Sequence, residues 1–287
     1  MGFSTVSAIT DAYNAGSCWQ GYYYKGTAPF VAPNIWTDLS TTTGIPVYQA
    51  YIGTPLQATS AIGTNNSYMF TGPTPPAGQQ KYLLNWSIGG NGSGASGAAF
   101  ILYDLLLYYP FVDGANITEQ FFDNAVTLPR YTSGEGVYPI FISQTPGSSG
   151  AVTCDLNYTN SKGVAARLSK MNVGNGTTIG RIMNLATTTT SASTPFIQIQ
   201  SGDTGVKSIQ SVTFSSSVGG FVTVALVRPI AQISLQEQNT LIEKNYIREG
   251  FVLPEILNGA ALQIMFNQQS GAGSIGTITS YFETVWG

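Results

Sequence analysis

Apolar or alternating runs of strand length, cut by clusters of Gly, Pro, Asn and Ser, follow one another along most of this chain, and no stretch sustains a helical period. A chain punctuated in this way buries its apolar side chains by pairing strands into layered sheets. From residue 81 the pattern is strand after strand. Residues 81–88 end in the glycine-rich turn 89–94 and lead to the apolar run 100–109, read as a buried strand. Residues 137–143 and 152–159 follow, the latter turning at 160–163 into 165–170. In 195–200, Ile197 and Ile199 alternate with Gln198 and Gln200, which gives one dry and one wet face. In 208–215, Val212 and Phe214 oppose Ser211 and Thr213. Residues 221–227 are apolar on both faces, the signature of a central strand covered on each side. Residues 262–266 and 278–286 close the chain as two strands, joined by the glycine-rich stretch 271–276.

Short helices are expected at 117–124, capped by Asn116 or Thr118, and within 235–248. No segment repeats at a fixed period, which argues against a propeller. The expected class is all-β: a β-sandwich of jelly-roll or Greek-key type over residues 81–287, preceded by an extended arm or edge segment over residues 1–80. That segment carries Trp19, Tyr22, Tyr23, Tyr24, Phe30, Trp36, Tyr48 and Tyr51. Aromatic faces of this size are costly to leave in water, so the segment must lie on its own body or on a neighbour. The sequence leaves both open.

Charged residues make up 9% of the chain, against about a quarter in an ordinary soluble domain. A subunit fixed in an assembly can present amides, hydroxyls and aromatics to its neighbours without desolvating charge, so this neutrality points to a permanent protein partner. A secreted Ser/Thr-rich β protein is the other source of such a composition. The net charge is −3 and the 11 basic residues form no cluster, which argues against nucleic-acid binding. Cys18 and Cys154 fit no metal or redox spacing and are expected as free thiols. The first residues lack the basic and apolar regions of a secretory leader, and Val6 stands where a myristoylation signal needs Ser or Thr, so neither is expected. The run 98–110 is short and interrupted by Asp104, so no membrane span is expected. Without a leader, the Asn-x-Ser/Thr triplets at Asn65, Asn85, Asn91, Asn116, Asn157 and Asn175 reflect composition.

The chain contains no histidine. That removes the usual general base, the usual triad member and the usual zinc ligand together. Paired carboxylates remain, for instance Asp113 with Glu119 or Asp123, but the 14 acidic residues are scattered singly. The loop 201–207 offers one Asp where calcium needs several oxygens, and 174–180 has spaced glycines without a Walker lysine. No enzymatic activity, cofactor or metal is expected. The densest polar group is 128–137, where Arg130 and Glu135 flank a glycine-bearing loop and can either clamp it or reach across an interface.

The segments Tyr22-Tyr-Tyr-Lys-Gly-Thr-Ala-Pro29, Leu128-Pro-Arg-Tyr-Thr-Ser-Gly-Glu-Gly-Val137, and 202–214 followed by Gly219-Gly-Phe221 resemble virion structural proteins of tailed bacteriophages. The likeness is closer to auxiliary head proteins, which cement or decorate the capsid, than to receptor-cleaving tailspikes. It implies no catalytic residue. It implies a place on the capsid exterior, the major capsid protein as partner, and a homo-oligomer with a trimer favoured. The interface would take in Trp19, Tyr22, Tyr23, Tyr24, Trp36, Arg130 and Glu135. A carbohydrate-binding adhesin, stacking Trp19, Trp36 or Trp86 on sugar rings, is the competing expectation. A major capsid or scaffold protein is a weaker one, because the long helix of the common tailed-phage shell is missing from the pattern.

Overall fold

The computed structural model describes residues 3–26, 34–64, 67–92, 97–148, 150–174, 176–185, 194–250, 252–268 and 276–287. Phe30, most of the linker 271–276 and part of the turn 89–94 lie outside them. In chain order the elements are helix α1 (Val6–Asn14), β1 (Cys18–Lys25), β2 (Trp36–Asp38), a 3-10 turn (Leu39–Thr41), β3 (Gly44–Ile45), β4 (Thr59–Ser60), β5 (Lys81–Gly90) and β6 (Ala99–Asp113). There follow β7 (Gln120–Phe121), β8 (Tyr138–Ser143), β9 (Ala151–Asn160), β10 (Arg167–Gly174), β11 (Asn184–Leu185) and β12 (Val206–Phe214). The last four are β13 (Phe221–Ser234), β14 (Leu241–Asn245), β15 (Leu262–Asn267) and β16 (Ile278–Trp286).

These strands form three antiparallel sheets. Sheet I has the order β14-β5-β16-β1-β3, sheet II the order β2-β15-β6-β13-β8 with β4 added beside β6, and sheet III the order β11-β10-β9-β12-β7. The apolar run near residue 100 explains the arrangement. Phe100 and Leu102 of β6 pack with Tyr23, Trp86 and Phe282 of sheet I, whereas Leu106, Leu107 and Tyr109 pack with Leu156, Tyr158 and Phe214 of sheet III. Ala99, Ile101, Tyr103 and Leu105 point the other way, under Tyr51, Ala61, Tyr68 and Ile182 from the connecting segments. Sheets I and III therefore lie side by side on one face of sheet II, and the other face is roofed by loops. A strand covered on both sides reads as continuous apolar sequence. This is the all-β sandwich expected, with one sheet shared between two half-sandwiches.

Several local expectations are corrected. Residues 117–124 form no helix; Gln120–Phe121 instead pair with β12 at the edge of sheet III. Residues 235–248 form no helix either, because 241–245 pair with β5 as the outer strand of sheet I. Residues 195–200 join no ladder, although Ile197 is buried and its amide donates to Pro139 O at 2.9 Å. The α-helix lies where none was expected, at Val6–Asn14. Thr5 caps it by accepting from Ala8 N at 3.1 Å, and Ile9 anchors it on Leu84 and Val285. The first 80 residues, expected as an arm or edge segment, supply β1–β4. β1 pairs with β16 along all eight residues, because Tyr23 is buried and Trp19 half-buried only when that strand enters the sheet.

Arg130 and Glu135 do not clamp their loop. Arg130 turns inward and holds Asp104 of β6 by two bonds, Nε to Oδ2 at 2.8 Å and Nη2 to Oδ1 at 2.6 Å. Asp104 is fully buried and also accepts from Ala261 N at 2.8 Å. Glu135 is exposed, and its carbonyl accepts from Arg228 Nη1 at 2.7 Å. A buried carboxylate outbids an exposed one for a guanidinium, since it has no water to fall back on.

Candidate functional site

Sheet I has an inner and an outer face, set by the two-residue period of its strands. On β1 the inner side carries Trp19, Gly21, Tyr23 and Lys25; the outer side carries Gln20, Tyr22 and Tyr24. Gly21 permits the inner packing, since a Cβ there would lie 2.3 Å from Phe282 and 2.4 Å from Trp19. α1 covers one part of the outer face through Ile9. The rest is uncovered by any described residue large enough to bury it.

Register fixes what that open part presents. Ile45, Tyr24, Thr279, Gly89 and Leu241 form one cross-strand row, and Tyr22, Tyr281, Ser87 and Glu243 the next. Ile45 is 58% exposed, Tyr22 43%, Tyr281 50% and Leu241 57%, so four large apolar side chains stand in water on one sheet face. The rings are ordered: Tyr22 and Tyr24 are 6.5 Å apart at 10°, and Tyr22 meets Tyr281 at 5.2 Å. Val47 and Tyr48, just beyond β3, are exposed as well.

Ile45 is held beside Tyr24 by a buried lysine. Lys25 Nζ donates to Thr42 O at 3.1 Å and Pro46 O at 2.7 Å, one on each side of β3. Gly44 fits against the Tyr24 carbonyl, where a Cβ would come within 2.1 Å. Burial pushes the Lys25 ammonium down to about 8, with the charge of Asp38 opposing. Asp38 is itself enclosed, accepting from Tyr51 at 2.6 Å, Tyr103 at 2.8 Å and Ser40 N at 2.9 Å. At the rim of the face, Glu283 accepts from Tyr13 at 2.8 Å and Gln20 at 2.9 Å, and raises the Tyr13 phenol.

One edge of β1 is unpaired over most of its length. β1 is paired fully on the β16 side but only at Tyr24 and Lys25 on the β3 side, so residues 18–23 have no strand partner there among the described residues. Such an edge is a template for another chain.

Of the seven residues expected at an interface, Tyr22 and Tyr24 stand on this face. Trp19 is half-buried against Phe282 and Phe70. Glu135 is exposed far along the chain, whereas Tyr23, Trp36 and Arg130 are interior. Ile45, Leu241 and Tyr281 were not expected. The alternation of 278–286 carries a signal for Tyr281, but Leu241 is hidden by a helix-like spacing. The acidic residues named as a possible carboxylate pair are engaged locally: Asp113 accepts from Ala115 N and Asp123 from Ala125 N, both at 2.9 Å, and Glu119 accepts from Ser211.

Neither a family model nor a curated protein matches the sequence. Among solved structures, a mutant VP2 protein of infectious bursal disease virus in derived T=1 particles aligns over 93% of this chain and 77% of that chain, at 9% identity and a TM-score of 0.20. The VP2 subviral particle of the same virus aligns over 93% and 80%, at 9% identity and a TM-score of 0.18. Scores of this size do not define a common fold.

Proposed function

We propose that the chain is a non-enzymatic structural subunit of a virus particle, working as a head cement or decoration protein that buries surface against the major capsid protein and against copies of itself. The observation that carries this reading is the uncovered outer face of sheet I, where Ile45, Tyr22, Tyr281 and Leu241 are exposed beside an unpaired strand edge. The sparse charge of the chain and its likeness to phage virion proteins point the same way. A symmetric oligomer, a trimer by preference, would place the open β1 edge and the tyrosine face at subunit junctions on the capsid exterior. An interface on the order of 1,600 Å² in total, multiplied over a shell, is enough to hold a lattice together. No nucleic acid or membrane enters the mechanism. Trp36 and Trp86, on which a carbohydrate-binding adhesin would rest, are both enclosed in the core, which disfavours that reading in its original form.

The test is the double variant Tyr22→Arg and Tyr281→Arg, both on exposed positions. Central interface aromatics typically contribute about 2 kcal/mol or more each, so self-association or head binding should weaken at least about 30-fold. The melting temperature should stay within about 2 °C of the parent, as surface changes are nearly neutral. Sedimentation velocity and co-sedimentation with purified heads read the two quantities. Unchanged association of a folded variant would remove this face from the proposal.

A further inference from the structure

Lys81 opens β5, and its side chain points into the molecule: the residue is 5% exposed. Its Nζ donates to Thr71 O at 2.9 Å and Gly72 O at 3.2 Å, and lies 5.8 Å from the centre of the Trp286 ring. All 14 acidic side chains fall within the described residues, yet the ion pairs they make are with Arg130, Arg167 and Lys170, none with Lys81. Lys25, more deeply enclosed, at least feels the charge of Asp38; for Lys81, burial alone acts, pushing the ammonium down to about 8. A buried cation without a counter-charge is unfavourable.

That cation borders a cleft of about 490 Å³ between residues 63–64, 68 and 70–74 on one side and 258–260 on the other. Cavities of this size hold one small ring. Tyr68 shares the wall, is also only 5% exposed, and its hydroxyl has no hydrogen-bond partner among the described residues. Thr64, Thr74 and Asn258 add hydroxyls and an amide. At the rim the Phe70 ring is 60% exposed and held edge-on against Trp19 at 4.9 Å. The opening thus brings together an ammonium bonded to carbonyls but with no counter-charge, and a phenol for which the described residues offer no hydrogen bond.

We propose that this cleft is a binding site for a carboxylate-bearing saccharide unit, with the carboxylate on Lys81, the ring hydroxyls on Tyr68 and the threonine and asparagine side chains, and the apolar ring face on Phe70. One ammonium matches a monoanion; a phosphate dianion calls for a second cation or a guanidinium fork, and the lining residues include no arginine and no other lysine. The hydroxyl and amide lining suits a polyhydroxylated ligand, and an aromatic face at the rim suits a pyranose.

Isothermal titration or saturation-transfer NMR with glucuronate and galacturonate tests it, with glucose, galactose and acetate as controls. The uronates should bind at least about tenfold more tightly than any control, a difference of about 1.4 kcal/mol. Binding should fall as pH rises through about 8, where Nζ loses its proton. Tyr68→Phe removes a hydroxyl that has no hydrogen-bond partner among the described residues, so the variant should be as stable as the parent and bind several-fold more weakly. Lys81→Met should abolish binding; because Lys81 also ties down two carbonyls, Tyr68→Phe carries the test if that variant does not fold. Equal affinity for acid and neutral sugars, or no binding by any, overturns the proposal. Acetate binding as tightly as a uronate means an adventitious ion only, and overturns it too. Since the tyrosine face of sheet I takes no part, the association-deficient double variant should bind uronates normally.

Discussion

Replacing Arg130 with methionine is expected to lower the unfolding free energy by about 3–5 kcal/mol, with a penalty that grows as pH rises from about 4. Asp104 lies on β6 between Leu102, which packs with sheet I, and Leu106, which packs with sheet III. The carboxylate is fully buried and accepts three hydrogen bonds from protein, two of them from Arg130. Burial pushes this carboxyl upward, while the guanidinium and the Ala261 amide pull it back. Without the guanidinium only burial and one amide remain, so the folded-state value climbs further above the unfolded one. A group raised in this way keeps its contribution below its unfolded value, about 3.9, and loses it as pH climbs through the folded value. Arg130 also donates to Ala61 O at 3.1 Å and Leu105 O at 2.9 Å, which the methionine leaves unsatisfied. Adding Asp104→Asn should recover part of the loss by removing the stranded charge. Urea unfolding at several pH values, followed by near-ultraviolet circular dichroism, gives both numbers. A single variant within about 1 kcal/mol of the parent would show that the pair does not hold the two half-sandwiches to β6.

How much of this was legible follows from the reach of each signal. The strands β5, β6, β8, β9, β12, β13, β15 and β16 each show in the sequence, because alternation and continuous apolar runs are local consequences of one or two covered faces. β13 runs on to Ser234, past Pro229, because register shifts beside β6 accommodate the ring; no local rule announces that. α1 escaped notice since only Ile9 among its nine residues is buried, too little to make a stripe. In Tyr22-Tyr23-Tyr24 the period of two is invisible, as all three residues are the same. Only pairing with β16 decides that Tyr23 enters the core and its neighbours face out. The partner of Arg130 was equally out of reach: Glu135 is near in sequence, but Asp104 is on another strand and fully desolvated. The buried lysines contradict the usual rule that lysine stays at the surface, and each marks a place where loop carbonyls needed a donor.

The pH profile of stability should be flat through neutrality, rise on the alkaline side, turn over above about pH 10, and drop below its neutral level above about pH 11. With no histidine, no imidazole titrates near neutrality. Lys25 and Lys81 are each lowered to about 8 by burial. The stability such a group supplies is present above its unfolded value, about 10.4, and lost as pH falls to the folded one, so both lysines stabilise the fold as pH climbs between these limits. The tyrosines act in the opposite sense. Tyr23, Tyr51 and Tyr103 are fully enclosed and raised well above the ordinary phenol by burial first and by the Asp38 carboxylate second; Tyr109 is raised by burial. Their contribution is complete below the unfolded value, about 10, and is lost as pH rises past it, at about 1.4 kcal/mol per tyrosine per pH unit. Four such phenols remove about 6 kcal/mol by pH 11, roughly what the two lysines have gained by then; above that the lysine gain is saturated and each further pH unit adds only to the loss, which soon takes half or more of what a typical domain possesses. Tyr51 and Tyr103 cannot ionise in place, because each donates its proton to Asp38. Phenolate absorbance and loss of near-ultraviolet dichroism should therefore appear together, as one cooperative step. Phenolate forming in a still-folded protein, with the sheet signal intact, would mean that the Asp38 chamber is open to solvent and that its hydroxyls do not anchor the roof over sheet II.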